Sequence, residues 1–369
     1  MILSIEIPQQ MDILRKALAK CICSDNRTIL KHLILILLIC SISVSAQSQV
    51  EIDTNPSDTT VVSERYIDYS NQLLLKFMSV TKLNSLEIVN TTSGQSINLE
   101  PYGISSLGFG FNYKWLGLGV TLGLPLTSEE EEKYGKTKRF DLQLNIYSKK
   151  FVIDASFQQY NGYYVTNPGE LFPNWNDSIF PQRETMETFS VGVSGYYVFN
   201  HKKLSYKAAY VRNAVQKKSA GSFLLGGFYS IDDASFDDDT SSFVPSSFPT
   251  EIQDSLPINA YSARSAGVSF GYTYTLVFFK RFFINLSLIP GVGVKSLAVD
   301  KAGEKFTETS GVGRFNGRVA LGYESKHFLI GITSNTVTGT LKFQNYVIKP
   351  STKNVKVFIA KRFNINKKK

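Results

Sequence analysis

The sequence predicts an all-β fold: an antiparallel transmembrane β-barrel of the outer-membrane type, with about 12 strands after a cleaved signal peptide. Three observations support this fold class. Apolar and polar residues alternate with a period of two over most of the chain after residue 70. The breaks between alternating segments are short and long in turn, as tight turns and long loops are at the two ends of such a barrel. Aromatic residues make up 13% of the chain, and these barrels carry them in girdles at both membrane interfaces.

The alternation is clearest in residues 139–147. The even-numbered residues from Phe140 to Ile146 are apolar, whereas the odd-numbered residues from Arg139 to Asn145 are polar. A helix would mix these two sets around its surface, and only a strand separates them onto opposite faces. One face therefore suits lipid and the other suits a polar lumen.

The same pattern predicts the remaining strands. They are approximately residues 73–90, 98–114, 116–125, 137–147, 150–163, 184–199, 203–231, 262–278, 281–299, 310–323, 326–338 and 352–363. Long loops are predicted at residues 127–137, 166–183, 232–261, 300–309 and 339–353. Segment 203–231 is predicted as one strand with a bulge near residues 213–219, because its alternation shifts phase by one residue. A hairpin there is the alternative, but it would move loop 232–261 to the tight-turn side.

The chain is predicted to have four segments. Residues 1–46 form a signal peptide, with a basic region at Arg27 and Lys31, an apolar stretch from Leu33, and a small-residue cleavage site ending at Ala46. A start at Met11 or later is an alternative. Residues 47–70 form a periplasmic arm, residues 71–363 the barrel, and residues 364–369 a basic tail. All three cysteines precede the cleavage site, so the mature chain is expected to use neither disulfides nor thiolate chemistry.

Several motifs resemble a known family. They are Tyr113–Leu118 after a glycine-rich strand, Gln158–Tyr164, Phe199-Asn200 before a basic turn, and Gln216–Ser222. In combination they resemble the domain-of-unknown-function family 4421, over about residues 60–363. The resemblance implies an outer-membrane barrel protein of Bacteroidota. It brings no established activity with it.

No motif in the sequence indicates catalysis or a cofactor. Residues 267–271 match G-x-S-x-G, but a nucleophile elbow needs a strand-turn-helix context, and this match lies inside an alternating strand. Outside the signal the only histidines are His201 and His327, both at predicted tight turns on the periplasmic side. A general base is therefore missing where barrel hydrolases need one. We expect a protein that is not an enzyme and that has no cofactor and no metal site.

Neither the charged loop residues nor the overall charge indicates a binding site. Acidic clusters at residues 129–132 and 232–239 are expected to be solvated loop tips, since the glycine and spacing of a calcium loop are absent. The net charge of +9 is diffuse and comes with no nucleic-acid-binding motif, so nucleic acid is not an expected partner.

Seven charged residues fall on the face predicted to line the lumen. This charge ladder consists of Lys114, Arg139, Asp141, Asp154, Lys207, Arg314 and Arg318. A self-satisfied network filling a narrow or plugged barrel is favoured, because 12 strands lie between filled eight-stranded barrels and open porins. The alternative is a selectivity ladder in a small-solute channel, which would favour anions because five of the seven are basic. The predicted bulge also aims four polar residues away from lipid. They form either a solvated extension of the barrel wall or a basic rim for ligand contact, and they are Gln216, Lys217, Lys218 and Ser219.

These observations predict the protein's class more closely than its role. We expect an outer-membrane barrel with a structural or surface-interaction function, and an anion-favouring channel is the alternative. The expected partners are outer-membrane lipid, lipopolysaccharide and the barrel-insertion machinery, and the expected state is a monomer.

Overall fold

The computed structural model describes residues 61–62, 65–102, 105–114, 116–172, 175, 178–236, 242–325 and 328–365. The predicted signal peptide, residues 47–60 of the predicted arm, and residues 366–369 of the predicted tail lie outside these ranges. So do Trp115, His327 and the acidic residues 237–239.

Within the described ranges the chain forms 16 strands and four short helices. The strands are β1 Val61–Val62, β2 Tyr66–Asp68, β3 Leu73–Asn90, β4 Ser96–Glu100, β5 Ser105–Tyr113, β6 Leu116–Gly123, β7 Lys138–Tyr147, β8 Phe151–Val165, β9 Gln182–Val198, β10 Ala214–Gln216, β11 Ala220–Phe236, β12 Ile258–Phe278, β13 Phe282–Lys301, β14 Glu304–Glu324, β15 Phe328–Phe343 and β16 Tyr346–Phe363. The helices are α1 Ser128–Tyr134, α2 Pro168–Leu171, α3 Tyr206–Tyr210 and α4 Thr250–Ser255.

Ten antiparallel strands close a barrel. Around the ring they follow the order β3-β16-β15-β14-β13-β12-β11-β9-β8-β4, and β4 returns to β3. The first and last strands pair along their full length, from Leu73 opposite Phe363 to Asn90 opposite Tyr346. The opposite junction is short, since β4 meets β8 only where Leu99 and Glu100 pair. The predicted antiparallel all-β barrel is therefore confirmed, but the predicted count of about 12 strands is not, because the closed ring has ten strands with extra strands attached.

The extra strands flank a gap in the barrel wall. Strand β5 pairs with β3 and carries β6 on its other edge, whereas β7 pairs with β8. In the described part of the chain no strand pairing joins β6 to β7. We call this gap the seam. The predicted strand 98–114 is broken into β4 and β5 at Pro101, because proline has no backbone N–H to donate to a ladder.

The barrel is apolar outside and polar inside, as the alternation predicts. On β12, Phe270 is 55% exposed on the outer face while Thr273 is fully buried on the inner face. On β13, Ile284 and Leu286 point outward, whereas Ser287 points inward and is fully buried. A soluble antiparallel sheet shows the opposite arrangement, with apolar residues facing its core. We call the outward apolar band the belt. On β13 it runs from Phe282 to about residue 294.

The two ends of the barrel carry different connections. One end, which we call the loop end, holds the segments with α1, α2 and α4. Two of its predicted long loops, 300–309 and 339–353, are wrong: β13 and β14 meet in a turn at Ala302-Gly303, and β15 and β16 meet at Gln344-Asn345. Both Ala302 and Gly303 have positive φ, as a two-residue hairpin turn with matching twist requires. These strands extend beyond the belt, where polar residues on both faces hide the alternation.

The prediction of one bulged strand over residues 203–231 is also wrong. Residues 199–219, which we call the plug, leave the wall after β9, and the wall resumes with β11. The plug contains α3 and β10, and β10 pairs with β2. The hairpin alternative does not hold either, because Phe228 pairs with Ser194 and Gly267. In the sequence Tyr206, Ala208 and Tyr210 look like one face of a strand, but they lie on a buried helical turn.

The plug occupies the interior of the barrel at the end opposite the loops, which we call the plug end. The Tyr210 hydroxyl donates to Asn285 Oδ1 at 2.6 Å, and the Tyr206 hydroxyl reaches Ser287 Oγ at 3.5 Å. Both acceptors are inward residues of β13. On the other side of the barrel, Lys76 Nζ of β3 donates to the carbonyl oxygen of Val211 at 2.7 Å. The plug therefore contacts opposite walls of the lumen.

A second segment fills the loop end. Residues 242–257, which we call the cap, turn inward over the barrel mouth. Phe243, Val244, Phe248 and Leu256 are all at most 3% exposed. They join one hydrophobic cluster with inward side chains of the surrounding strands, including Ile88. The main apolar core of the protein thus lies inside the barrel at its loop end, and the lumen between cap and plug is polar.

Candidate functional site: the barrel interior

The interior between cap and plug holds a polar cavity of about 110 Å³. Its lining comes from strands around most of the ring and includes Asp154, Asp232, Arg314 and Arg318. The cavity is large enough for several water molecules, which polar linings of this kind hold. Three residues of the predicted charge ladder, Asp154, Arg314 and Arg318, therefore converge on one cavity, together with Asp232.

Arg318 is the centre of the interior network. Its Nη2 lies 2.5 Å from Asp154 Oδ2, its Nη1 donates to the Tyr147 hydroxyl at 2.8 Å, and its Nε donates to Asn316 Oδ1 at 3.1 Å. The Tyr147 hydroxyl in turn donates to Asp154 Oδ1 at 2.7 Å. A buried charge is tolerated only with such partners. Arg318 and Asp154 therefore act as a fixed crosslink between β14 and β8 across the lumen.

Arg314 faces the same cavity one inward position earlier on β14 than Asn316. Its guanidinium lies over the Phe228 ring, 4.9 Å from the centroid. The acidic residue near it is Asp232, which accepts a hydrogen bond from Ser190 Oγ at 3.0 Å. Asp232 belongs to β11, although the sequence placed it in an exposed acidic loop.

Asp141 has a basic partner that the sequence pattern did not indicate. Lys82 Nζ of β3 lies 2.6 Å from Asp141 Oδ1. The other carboxylate oxygen of Asp141 accepts hydrogen bonds from Gln158 at 2.8 Å and from the Tyr160 hydroxyl at 3.0 Å. Arg139, the neighbouring inward residue of β7, donates across the upper part of the seam to Ser106 Oγ at 2.7 Å.

A buried glutamate joins the plug to the wall. Glu324 at the end of β14 accepts from Arg212 of the plug and from Arg362 of β16, each at 2.5 Å. Arg362 also donates to the carbonyl oxygen of Arg212 at 2.9 Å. The Arg212 guanidinium lies 4.2 Å from the centroid of the Phe283 ring. One carboxylate therefore forms ion pairs with two buried arginines from different parts of the fold.

Lys207 belongs to the plug and not to a wall strand as predicted. It lies on α3, with its Nζ 2.9 Å from Asp68 Oδ2 and 2.9 Å from Ser70 Oγ. Burial raises the pKa of Asp68, but the Lys207 ammonium and the Ser70 hydrogen bonds outweigh it, so this pKa lies below its ordinary value of 3.8. The ion pair ties the plug to the segment just before the first barrel strand.

The structure corrects the predicted positions of five further residues. Lys114 lies exposed in the β5–β6 turn, where its ammonium sits over the Tyr113 ring. The predicted rim does not exist as a surface patch. Gln216 is buried in the plug, where it accepts from the Ser205 N–H and donates to the Lys203 carbonyl oxygen. Ser219 accepts from the Val277 N–H at 2.9 Å. Lys217 and Lys218 are exposed, at the plug end.

The sequence missed the partners Lys82, Glu324, Arg362 and Lys76. The signal that could have found them is the phase of the strands, because Lys76 and Lys82 share the even-numbered face of β3 with Leu74 and Met78. Both faces of β3 are mainly apolar, however, so its sequence does not say which face points inward.

The acidic residues at 129–132 form part of a helix. Thr127 caps α1, and a capping box links its side chain and backbone to Glu130. The Tyr102 hydroxyl donates to Glu130 at 2.7 Å, and this hydrogen bond together with burial raises the pKa of Tyr102 to about 12. The backbone hydrogen bond from Thr127 and the Tyr102 hydroxyl lower the pKa of Glu130. Among the residues that the structure describes, no group of three His, Cys, Asp or Glu side chains is placed to hold a metal ion.

The G-x-S-x-G match lies in the middle of β12, as predicted. Ser269 is buried on the inner face and pairs with Gly226 on one side and Gly291 on the other. The described histidine, His201, lies in the plug, with Nδ1 3.1 Å from the Val198 carbonyl oxygen. The serine and this histidine therefore belong to different contact networks.

The family described as a domain of unknown function (DUF4421) matches residues 56–363, which confirms the resemblance seen in the sequence motifs. No curated protein matches the chain. No helix in the described part of the chain is long and apolar enough to cross a membrane.

Several solved structures are similar at low identity. The outer membrane protease OmpT from Escherichia coli aligns over 83% of this chain and 100% of its own, with 8% identity and a TM-score of 0.36. The toluene transporter TodX from Pseudomonas putida aligns over 84% and 93%, with 10% identity and a TM-score of 0.22. The attachment invasion locus protein Ail of Yersinia pestis aligns over 58% and 97%, with 10% identity and a TM-score of 0.22. Likenesses this distant carry no argument about activity.

Proposed function

We propose that this chain, which belongs to the family of the domain of unknown function DUF4421, is an outer-membrane β-barrel protein with an occluded lumen and a structural or surface-interaction role. The observation that carries the membrane placement is the belt. Large apolar side chains such as Val268, Phe270 and Leu286 are 62%, 55% and 47% exposed on the outside of a closed ring. Such a surface would aggregate in water but suits hydrocarbon.

The occlusion of the lumen supports a resting state without an open pore. The plug contacts opposite walls at one end, and the cap buries its apolar side chains in the other. Between them Arg318 and Asp154 crosslink the walls. A solute on a straight path through the barrel would have to displace the plug and the cap and pass beside this ion pair through the polar cavity that it lines.

Bilayer conductance of four proteins tests the occlusion. They are the unaltered barrel, a variant with residues 201–218 replaced by a Gly-Ser linker, one with residues 243–256 replaced likewise, and the double replacement. We expect steady conductance only from the double replacement, because either segment alone blocks the lumen. Heat-modifiable gel migration shows whether each variant still folds. Steady conductance by the unaltered barrel would contradict the occlusion.

A small-solute, anion-favouring channel is the second candidate. It is favoured by the basic excess at the plug end, where Lys76, Lys82 and Lys356 line one cavity with Asp141 as the acidic residue. If the unaltered barrel conducts, replacing Arg314 and Arg318 with glutamine should shift its reversal potential toward cation selectivity. Arg264→Gln is the matched control, because Arg264 is exposed on the outer face.

A non-enzymatic role is supported by the chemistry of the interior. Ser269 is held within a paired strand, and His201 binds a backbone carbonyl in the plug. A nucleophile needs a base within hydrogen-bonding reach. Purified protein with lipase or protease turnover above that of a Ser269→Ala variant would contradict this part of the proposal.

The proposed partners follow from the membrane placement. The belt would contact outer-membrane lipid, and the strands that extend beyond it at the loop end would contact lipopolysaccharide. Strand β16 ends on the aromatic residue Phe363, which suits recognition by the barrel-insertion machinery. The ring closes within one chain, so we propose a monomer.

A further inference from the structure

The seam leads from the belt into a second interior cavity. This cavity, of about 340 Å³, is lined on one side by β6 and β7 and on the other by β3, β16 and the plug residues Tyr210 and Val211. Leu118 and Val120 of β6 and Leu142 of β7 line it and are also 52%, 71% and 57% exposed on the outer surface. The same residues thus border both the inside and the outside of the wall.

The seam has defined limits. Toward the loop end the ring is closed by β4, and Arg139 donates across the seam to Ser106. Below that bridge, the inward residues Gln143 and Asn145 of β7 remain exposed, whereas the inward residues of β13, such as Asn285, are buried. Strand edges without a partner are tolerated at membrane depth where they line a water-filled space. The seam is therefore an opening in the wall beside a cavity whose lining includes polar residues such as Asp141 and Gln143.

The cavity behind the seam carries an excess of positive charge. Three lysines line it, Lys76, Lys82 and Lys356, and the acidic residue among the lining side chains is Asp141. The Asp141 carboxylate already forms an ion pair with Lys82, whose Nζ lies 2.6 Å from Asp141 Oδ1. Lys76 donates to the carbonyl oxygen of Val211, which is neutral. The Lys356 backbone is paired in the β16 ladder, but its ammonium group has no ion pair or hydrogen bond among the residues that the structure describes.

These two lysines lie inside the barrel at the level of the belt. Lys76 lies between the outward residues Leu75 and Phe77, which are each 44% exposed, and Lys356 precedes the outward Val357, which is 46% exposed. Ammonium groups at this depth are costly without an anionic partner. A site with two such cations on one side and an opening into the apolar belt on the other is complementary to a molecule with an anionic head and an apolar chain.

We propose that the seam and this cavity bind an anionic amphiphile with a single acyl chain. Its carboxylate or phosphate head pairs with Lys76 and Lys356 inside the barrel, and its chain leaves between β6 and β7 into the membrane. The inner face of β6 favours this route because Gly117 and Gly119 place no side chain in the cavity that they line. The ligand enters from the side, so the occluded ends of the lumen do not obstruct it.

Calorimetric titration of the barrel in phosphatidylcholine nanodiscs tests the head-group site. We expect laurate to bind above the background of empty discs, with dodecyl phosphate binding comparably. Lys76→Gln and Lys356→Gln should each weaken binding about tenfold, because each removes a charge-assisted contact, and the double variant should abolish it. Lys353→Gln is the matched control, since Lys353 lies on the same strand but is exposed on the opposite face.

Any other result of this titration would contradict the proposed binding site. If inorganic phosphate binds as tightly as laurate, the site is one for free anions. If dodecyl maltoside binds as tightly as laurate, the site is an apolar groove that does not recognise an anionic head group. If Lys353→Gln weakens laurate binding equally, the loss of binding is an effect of surface charge and not of the proposed site. The proposal rests on the outer-membrane placement, so insertion is established first by heat-modifiable migration. Failure to insert counts against the placement, whereas an inserted barrel that does not bind laurate counts against the site alone.

A crosslink tests the route of the chain. A Cβ at Gly123 would lie 3.0 Å from Arg139 Nη2, so β6 and β7 approach each other at that end of the seam. Below it, the exposed residues Val120 of β6 and Leu142 of β7 border the seam from its two sides. Oxidation of a Val120→Cys/Leu142→Cys barrel, prepared from residue 47 and so without native cysteines, should close the seam and abolish laurate binding until a reductant is added. A short bismaleimide replaces the disulfide if the thiols stay free.

The control crosslink shares one of the two positions. Phe109 and Val120 are already partners in the β5–β6 ladder, so a Phe109→Cys/Val120→Cys disulfide leaves the seam as it is. This barrel should bind laurate equally in both redox states. Unchanged binding to the barrel crosslinked across the seam would show that the chain does not pass between β6 and β7.

Discussion

A single carboxylate carries much of the electrostatic balance at the plug end. Glu324 is 11% exposed and holds Arg212 and Arg362, whose side chains are 2% and 5% exposed. Without this carboxylate two guanidinium groups would remain buried side by side. Removing one member of a buried ion pair is far more costly than removing an exposed one, since the remaining charge has lost its solvation.

We therefore expect Glu324→Gln to destabilise the barrel by about 3–5 kcal/mol. Urea titration of the refolded protein in neutral lipid vesicles measures this loss. Glu87→Gln is the matched control, because Glu87 pairs with Lys349 while both side chains are more than one third exposed. Its effect should stay within about 1 kcal/mol. Equal effects of the two substitutions would show that Glu324 does not stabilise the barrel through its two buried arginine partners.

The ion pair between Asp68 and Lys207 gives plug docking a pH dependence. The pKa of Asp68 lies below 3.8 when the plug is docked and returns to that ordinary value when it is released. The released state therefore binds the proton more tightly, and docking is fully stabilised above pH 3.8 and weakens as the pH falls through the docked pKa.

We expect a barrel that lacks the cap, with residues 243–256 replaced by a linker, to show channel openings in planar bilayers that become frequent only below about pH 4. The cap is removed so that the plug alone controls conductance. Asp68→Asn in the same background should open at neutral pH and respond less to acid. A pH response that the substitution leaves unchanged would assign the effect to other groups.

At the scale of the elements, close approach of strands depends on particular glycines. Gly226 of β11 lies between β9 and β12, and a Cβ there would come within 1.8 Å of the Gly195 carbonyl oxygen. Because both neighbours are held in the ladder, the backbone cannot give way locally. Overpacking of this kind costs about 1–3 kcal/mol.

Gly226→Ala should therefore lower the urea midpoint of the barrel, whereas Gly311→Ala should not. Gly311 also lies in a wall strand, but a Cβ there would meet nothing within 4 Å. The comparison separates a steric clash from any general effect of alanine in a strand. A midpoint that is equally unchanged in both variants would show that β9 and β11 lie further apart than the structure indicates.

The elements also show where reading the sequence succeeds and fails. Strand β3 was predicted with its observed bounds, Leu73–Asn90, because its ends are marked by turn residues. The plug was taken for a strand because a five-residue helix, Tyr206–Tyr210, is too short to show a helical period. Its residues bury themselves against inward side chains from distant strands, and a single-sequence pattern contains no information on those contacts.

At the scale of the molecule, the belt lies toward the plug end, and the long hairpins stand beyond it at the loop end. Strand β14 has 21 residues, whereas about 10 tilted residues cross a bilayer. With the termini on the periplasmic side, the hairpin turn at Ala302-Gly303 would lie outside the cell and the turn at Lys149-Lys150 in the periplasm.

An epitope inserted between Ala302 and Gly303 should therefore be labelled by antibody on intact cells. The same epitope between Lys149 and Lys150 should be labelled only after the outer membrane is permeabilised. Both sites are exposed residues of hairpin turns, so the two insertions are matched in local structure. Labelling of only the second site on intact cells would reverse the orientation.

The sequence alone determined the fold class, because a period of two between apolar and polar residues is a local property that each strand repeats, and the alternating short and long breaks indicated a membrane barrel. It also determined most strand positions and the family. Only the tertiary structure decided how the ring closes, what fills the lumen and which charges are paired. Lys82 and Asp141, or Glu324 and its two arginines, are far apart in the chain and meet only because the barrel closes. The seam is of the same kind: β6 and β7 each read as ordinary strands, and only the path of the wall around them leaves their facing edges unpaired.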